Sequence, residues 1–118
     1  MNDNIPHIDA YRFGKITVNG QVYLKDLFIC PDGVNANWRR KKGHSLCPQD
    51  LHAILEYHPK VLIVGCGRFG FLKIPEKTAV WITDSGIELI SASTPEACNR
   101  YNELAPKTPT IAGLHLTC

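Results

Sequence analysis

Long apolar runs are missing from this sequence. No stretch approaches the roughly 20 consecutive apolar residues that a membrane-spanning helix needs. The opening residues, MNDNIPHIDAYRFG, also lack the basic region followed by an apolar run that marks a secretory signal. We therefore expect a cytoplasmic protein with no membrane segment. The composition, 44% hydrophobic and 20% charged, is typical of a globular protein, and 118 residues are enough for one domain with one core.

Cysteines at the spacing of a disulfide framework or a zinc motif are also missing. The five cysteines form no C-x-x-C motif and are odd in number, so we expect reduced thiols. Two H-x-x-C pairs are present, His44 with Cys47 and His115 with Cys118. They would make a tetrahedral zinc site only if they met in space. We expect no metal and no other cofactor, and we interpret His115 as a hydrogen-bonded histidine near the edge of a sheet.

Positive charge is scarce outside one segment. The net charge is +2, but four of the 13 basic residues are adjacent, and without them nine basic residues face 11 acidic ones. The four are Arg39, Arg40, Lys41 and Lys42. Beside Trp38 they form a pattern that binds phosphates or single strands, but one aromatic ring is a poor stacking platform, so we do not expect a nucleic-acid partner. A solvated loop above a packed Trp38 fits better, as does a protein-binding surface made by Trp38, Arg39, Arg40 and His44.

Alternating apolar residues near the start of the chain indicate antiparallel strands. The dipeptide Asn19-Gly20 tolerates the positive φ angles of a two-residue hairpin turn and lies between two such strands. A further strand carries Trp38 after a second turn. The predicted strands are residues 13–18, 21–29 and 34–39.

Three prolines mark the starts of helices. A proline suits the first turn of a helix, where its missing N–H needs no partner, and apolar residues follow Pro48, Pro75 and Pro95 at helical spacing. The Thr94 hydroxyl is expected to cap the third helix, and Gly86 to end the second in a left-handed conformation. Apolar strands are predicted between and after the helices, at residues 60–65, 87–90 and 110–116.

This order of elements defines the fold class. We predict an α/β fold, a single domain over residues 1–118 with helices packed on a central sheet and an N-terminal antiparallel β-meander. Residues 1–10 are expected to be loosely ordered.

The stretch VLIVGCGRFG contains the spacing G-x-G-x-x-G at Gly65, Gly67 and Gly70, which is typical of dinucleotide-binding turns. Such a turn needs a helix that begins within it, whereas the helix signal comes only at Pro75, about five residues too late. It also needs an acidic residue at the carboxyl end of the next strand, whereas Glu88 stands at the amino end. The sequence therefore argues against a nicotinamide or flavin cofactor.

Two interpretations of the glycine turn remain. It is either a structural turn at the end of a central strand or a site for a small anion, held by backbone N–H groups and Arg68. The anion interpretation assigns Gly65, Gly67, Arg68 and Gly70 as site residues.

Cys66 lies in the same turn. The charge of Arg68 would favour its thiolate, and His44 is the candidate base that a nucleophile needs. A thiol in an apolar strand more often packs as a small hydrophobic group. The Cys66–His44 pair is therefore a weak catalytic candidate, and we assign no reaction.

Five blocks of the sequence have an order and spacing that resemble one known family. They are YRFGKITVNGQVYLKDLFICPDG, residues 38–44, VLIVGCG, TPEACNRYN and LHLTC. The family consists of small domains of unknown function, and its members include the adipogenesis-associated domain protein of animals and the third assembly factor of mitochondrial respiratory complex I. The resemblance extends from Tyr11 to Cys118.

The resemblance implies a three-layer α/β domain with a mixed sheet, and it implies neither an established reaction nor a dinucleotide. In that family the glycine turn usually reads G-T-G, whereas Cys66 stands at the middle position here. A role of that hydroxyl therefore does not carry over to this chain.

Two functions follow as hypotheses. The first is a non-catalytic interaction or assembly-type module, which the assembly-factor relative favours. The alternative is a small-molecule or anion-binding protein, or a weak enzyme, with a cleft between residues 65–70 and the basic loop 38–44.

Overall fold

The N-terminal residues form a small antiparallel sheet. In the computed structural model, which describes residues 5–40 and 44–118, its strands are β1 (Ile8–Arg12), β2 (Lys15–Val18) and β3 (Gln21–Tyr23), in that spatial order. Asn19 and Gly20 join β2 to β3 with φ angles of 50° and 79°, which confirms the predicted hairpin turn.

The first strand lies where loose order was expected. Both backbone groups of Ile8 are hydrogen-bonded to the side-chain amide of Asn102, at 3.0 and 2.8 Å, so this part of the chain is tied to the domain. The predicted strand 13–18 starts only at Lys15, because Gly14 turns the chain with a φ of 75°.

The central sheet is mixed and has five strands. They are β4 (Leu27–Cys30), β5 (Gly33–Asn35), β6 (Val61–Gly65), β7 (Glu88–Ala92) and β8 (Thr110–Leu114). Their spatial order is β5-β4-β8-β6-β7. The strand β6 runs parallel to both neighbours, whereas β4 runs antiparallel to β5 and β8, so the predicted mixed sheet is confirmed.

Two predicted strands are wrong in extent. Residues 21–29 divide into β3 and β4, and residues 34–39 end their strand at Asn35, so Trp38 lies in a loop. Asp26 is the reason, because its main-chain oxygen accepts a hydrogen bond from the Trp38 N–H at 3.1 Å. The Asp26 carboxylate also accepts a hydrogen bond from Arg40. These two contacts take the segments around Asp26 and Trp38 out of strand geometry.

Three helices pack on the sheet. They are α1 (His52–Leu55, which continues a 3₁₀ turn, Pro48–Leu51), α2 (Glu76–Asp84) and α3 (Thr94–Leu104). Each begins at or beside a predicted proline: Pro48 opens the 3₁₀ turn, Pro75 precedes α2, and Pro95 lies in the first turn of α3. Gly86 follows α2 with a φ of 83°, as predicted.

Two apolar cores lie on opposite faces of the central sheet. On one face Ile63 belongs to a cluster with Tyr101 of α3 and Ile16 of the small sheet. On the other face Leu62 belongs to a cluster with Ile82 of α2, as expected for neighbouring strand residues. The predicted layered single domain is therefore present. Within the described part of the chain, no helix combines the length and the apolar character required to cross a membrane.

Candidate functional site

The glycine turn, residues 65–70, lies beside the C-terminal segment, residues 115–118, at the carboxyl end of β6 and β8. Arg68 N–H donates to Thr117 O at 2.7 Å, and Phe71 N–H donates to Cys118 O at 2.9 Å. Gly67 is required for this approach, because a Cβ at its position would lie 2.3 Å from the main-chain carbon of Cys118. Its φ of 98° is also one that other residues rarely adopt.

The N–H groups of Cys66, Gly67, Arg68 and Gly70 in the turn bond to protein acceptors. Cys66 N–H donates to Ala92 O at 2.8 Å, and Gly67 N–H donates to the Thr94 hydroxyl at 2.9 Å. That hydroxyl donates in turn to His115 O at 2.6 Å, so Thr94 joins the turn to the C-terminal segment instead of capping α3. The cap position of α3 belongs to Ser93. An anion at this turn would therefore depend mainly on side chains.

A buried cluster of three charged or titratable side chains lies behind this segment, and sequence reasoning missed one member of it. The Asp26 carboxylate accepts hydrogen bonds from Arg40 Nη2 at 2.6 Å, from His115 Nδ1 at 2.8 Å and from Leu116 N–H at 2.8 Å. The side chains of Arg40 and His115 are only 6% and 7% exposed. The cluster pins the C-terminal segment to the start of β4. His115 therefore lies at the end of a central strand, not near the edge of the sheet.

The cluster holds Asp26 in its charged form. Burial raises the pKa of the Asp26 carboxyl, but the hydrogen bonds from His115, Leu116 and Arg40 outweigh burial and lower the pKa to about 2 from 3.8. Because an ionised carboxylate only accepts hydrogen bonds, Nδ1 of His115 carries the proton on that side of the ring.

The stability of the domain should depend on this carboxylate in acid. Because the pKa of Asp26 is lower in the folded than in the unfolded chain, the ionised carboxylate stabilises the fold above pH 5, and this contribution is lost as Asp26 is protonated. The free energy of unfolding should therefore fall by about 2 kcal/mol between about pH 5 and pH 2. Urea unfolding across this range measures the loss. Asp26→Asn should show a flatter pH profile than wild type, and an equally steep profile would contradict the assignment.

Trp38 and Arg40, which were predicted as parts of an interaction surface, are buried. The Arg40 guanidinium carbon lies 4.8 Å from the Trp38 ring centroid, and the ring packs so closely on Gly113 that a Cβ there would lie 2.9 Å from it. Trp38 Nε1 donates to Asp50 O at 3.1 Å. Arg39, by contrast, is exposed. Lys41 and Lys42 lie outside the described residues.

The two predicted H-x-x-C pairs approach each other through their histidines. The rings of His44 and His115 meet edge to face with centroids 5.4 Å apart. No group of three or more histidine, cysteine or acidic side chains in residues 5–40 and 44–118 is arranged to hold a metal ion.

Cys66 is buried, and the predicted activation by Arg68 is absent. Burial raises the pKa of the Cys66 thiol, and the cation that acts against this effect is Lys73. The Cys66 sulfur lies 3.8 Å from Val64 O. The ring of His44 contacts the ring of His115. No hydrogen bond joins His44 to Cys66 among the described residues.

Exposed phenylalanines form a patch on the outer surface at the carboxyl end of β6 and β8. Sequence reasoning also missed this patch. The patch consists of Phe13, Phe69 and Phe71, which are 53%, 64% and 55% exposed and are three of the four phenylalanines in the chain. Ring centroids lie 6.2 Å apart both between Phe13 and Phe69 and between Phe69 and Phe71. We call this surface the phenylalanine patch.

Two of the three phenylalanines in the patch belong to copies of one tripeptide. The sequence Arg-Phe-Gly occurs at residues 12–14 and again at residues 68–70. In both copies the glycine has a left-handed conformation, with φ of 75° at Gly14 and 72° at Gly70. Gly14 N–H also donates to Leu116 O at 2.8 Å, which fixes the first turn beside the C-terminal segment. This repeat is the sequence signal that could have revealed the patch.

Beside the patch lies a cavity of about 250 Å³, between β1 and α3. The residues that line it include Arg68, Tyr11 and Asn99, and also the acidic residue Asp9. Arg68 therefore projects toward this cavity and away from the thiol of Cys66.

The chain is similar to one protein family and to several solved structures. Residues 8–115 match a family model described as protein of unknown function, DUF498/DUF598. A conserved hypothetical protein from Pyrococcus horikoshii is 30% identical with a TM-score of 0.82, and the alignment covers 94% of this chain and 98% of that one. The protein MT938 is 27% identical with a TM-score of 0.78, over 96% and 99% of the two chains. A Bartonella henselae protein described as an outer membrane protein is 23% identical with a TM-score of 0.81, over 98% of each chain, and this likeness shows the fold alone.

Proposed function

Since the chain belongs to the DUF498/DUF598 family, whose description names no reaction, we propose that it is a non-catalytic interaction module of assembly type. Its docking surface is the phenylalanine patch, and its occupant is a partner protein. The observation that supports this role is the contiguous exposure of Phe13, Phe69 and Phe71 at one end of the domain. The resemblance to a family with an assembly factor among its members supports it further.

The size of the patch supports docking. A phenylalanine side chain presents on the order of 200 Å², so three rings exposed by about half present about 300 Å², which is the size of the largest, and often functional, patch on a monomer. Aromatic side chains are also enriched among the residues that dominate binding energy. We propose a cytoplasmic location for this interaction, and the absence of a disulfide among the five cysteines supports that proposal.

The exposed residues Arg39 and His44 remain proposed members of the interaction surface. His44 is linked to the segment that carries Phe71, because the main-chain oxygen of His44 accepts a hydrogen bond from Lys73 N–H at 2.8 Å.

Photo-crosslinking tests the location of the docking surface. With benzoylphenylalanine in place of Phe69, we expect a discrete crosslinked partner in a cell extract, and with the same group in place of Leu24 we expect none. Leu24 is the matched control because it is 69% exposed and lies outside the patch. The purified partner should then bind Phe69→Ser at least about tenfold more weakly than wild type, because the buried ring contact is lost. Equal binding to Phe69→Ser, or crosslinks of the same yield from position 24, would contradict the proposal.

A small anion in the cavity lined by Arg68 is the second candidate, because the guanidinium forms no ion pair within the described part of the chain. Inorganic phosphate should then raise the melting temperature of wild type, and Arg68→Gln should remove the rise. Arg100→Gln is the matched control on the exposed side of α3.

A further inference from the structure

Resting on the docking function proposed above, we infer that the segment received by the phenylalanine patch is short, apolar and flanked by acidic side chains. The patch supplies the apolar contact. The chemistry of the flanks follows from the charges around it.

Every charged side chain in the two segments that carry the patch is basic. Residues 11–15 and 65–74 contain no aspartate or glutamate. Their four cations are all exposed and are Arg12, Lys15, Arg68 and Lys73. None of the four forms an ion pair with another described residue. The apolar surface therefore lies beside four exposed cations that form no ion pair within the described part of the chain.

The border is a local feature of the molecule. The chain as a whole carries a net charge of only +2, so the excess of positive charge at this end is balanced by acidic residues elsewhere. A partner with carboxylates beside its apolar residues would be steered to this end and held in one orientation.

A second copy of the chain does not fit as the occupant. In a symmetric dimer the same patch faces itself, so the cations around the patch of one copy would be brought close to those of the other. Like charges in a desolvated contact oppose association. The apolar area, about 300 Å², is also well below the roughly 800 Å² per partner of a standard interface, which favours a short segment.

The arrangement of the rings favours a protein segment over nucleic acid or a bilayer. The planes are tilted by 44° between Phe13 and Phe69 and by 48° between Phe69 and Phe71. Stacking of successive bases uses open, separate ring faces, whereas these rings pack on one another. Each ring is also about half covered by the protein, so none projects freely as an inserted membrane anchor does.

Synthetic peptides test the inference with the full chain. The probes share a core of leucines and alanines and differ in the three residues at each end, which are glutamate, serine or lysine. We expect the glutamate peptide to bind wild type about tenfold more tightly than the serine peptide, the lysine peptide to bind more weakly still, and the difference to shrink at high salt. In the double variant Arg12→Glu with Arg68→Glu the preference for the glutamate peptide should disappear, because the two new carboxylates balance Lys15 and Lys73. The matched control is Lys77→Glu with Lys107→Glu, which changes net charge equally at exposed positions outside the patch.

The outcomes are distinct. Equal affinity for the three peptides overturns the acidic-flank inference, and this comparison needs no variant. If the three peptides bind with equal affinity but a partner is crosslinked at position 69, the proposed docking function remains supported and only the acidic-flank inference is overturned. Tighter patch-dependent binding of an oligothymidylate or of vesicles rich in phosphatidylserine overturns the choice of a protein segment.

Discussion

Replacing Asp26 by asparagine is expected to lower the free energy of unfolding by about 3 kcal/mol, because it breaks the largely buried ion pair between Asp26 and Arg40. Asparagine keeps the shape of the side chain and can still accept from Leu116 N–H, so the loss isolates the charge. This is a large fraction of the roughly 5–15 kcal/mol by which domains are stable. Urea unfolding at neutral pH measures it.

Asp84→Asn is the control for this substitution. Asp84 is exposed in the last turn of α2, so we expect a change within about 0.5 kcal/mol. If Asp26→Asn were as mild as the control, the buried cluster would not stabilise the fold as described.

Replacing Gly67 by alanine is expected to cost about 3–5 kcal/mol, from two sources that add. The φ of 98° is strained for alanine, and the new Cβ would overlap the main chain of Cys118. The C-terminal segment must then move away from the glycine turn. Hydrogen exchange of the Arg68 and Phe71 amides, which donate to that segment, should therefore accelerate.

Gly70→Ala separates the two sources. Gly70 also has a positive φ, 72°, but a Cβ there would meet no atom within 4 Å, so only backbone strain of about 1 kcal/mol applies. Equal destabilisation by Gly67→Ala and Gly70→Ala would show that the approach of Cys118 does not matter.

The parts of the fold that could be predicted are those with a local cause. Pro48, Pro75 and Pro95 act within the first turn of their own helix, and Asn19-Gly20 sets the φ angles of its own hairpin. Such signals need no knowledge of the rest of the chain, so the order of the three helices and of the strands between them followed from them.

The charged cluster could not be predicted, because its members are 14 to 89 residues apart in sequence and meet only through the sheet. Buried arginine is rare unless it is paired, and the sequence does not show that Asp26 is the partner of Arg40. The pattern of Arg40 beside Trp38 is therefore typical of a solvated surface segment. The polar break that Lys25 and Asp26 make in the apolar run 21–29 was the available signal.

Part of the phenylalanine patch could be predicted from the sequence. The repeated Arg-Phe-Gly predicts two similar glycine turns, but not that they lie side by side. Their proximity depends on the C-terminal segment, which bonds to Gly14 on one side and to Arg68 on the other. An exposed phenylalanine alone also carries no meaning, because single apolar residues are common on surfaces.

The proposed function requires that the phenylalanine patch be the surface by which this domain binds. Titration of the ¹⁵N-labelled full chain with the glutamate-flanked peptide, followed by NMR, locates the binding surface residue by residue. We expect the largest amide shift changes on residues 13–14 and 68–72, with little change at residues 22–25 around Leu24. Largest changes at residues 22–25, or no saturable change anywhere, would contradict it.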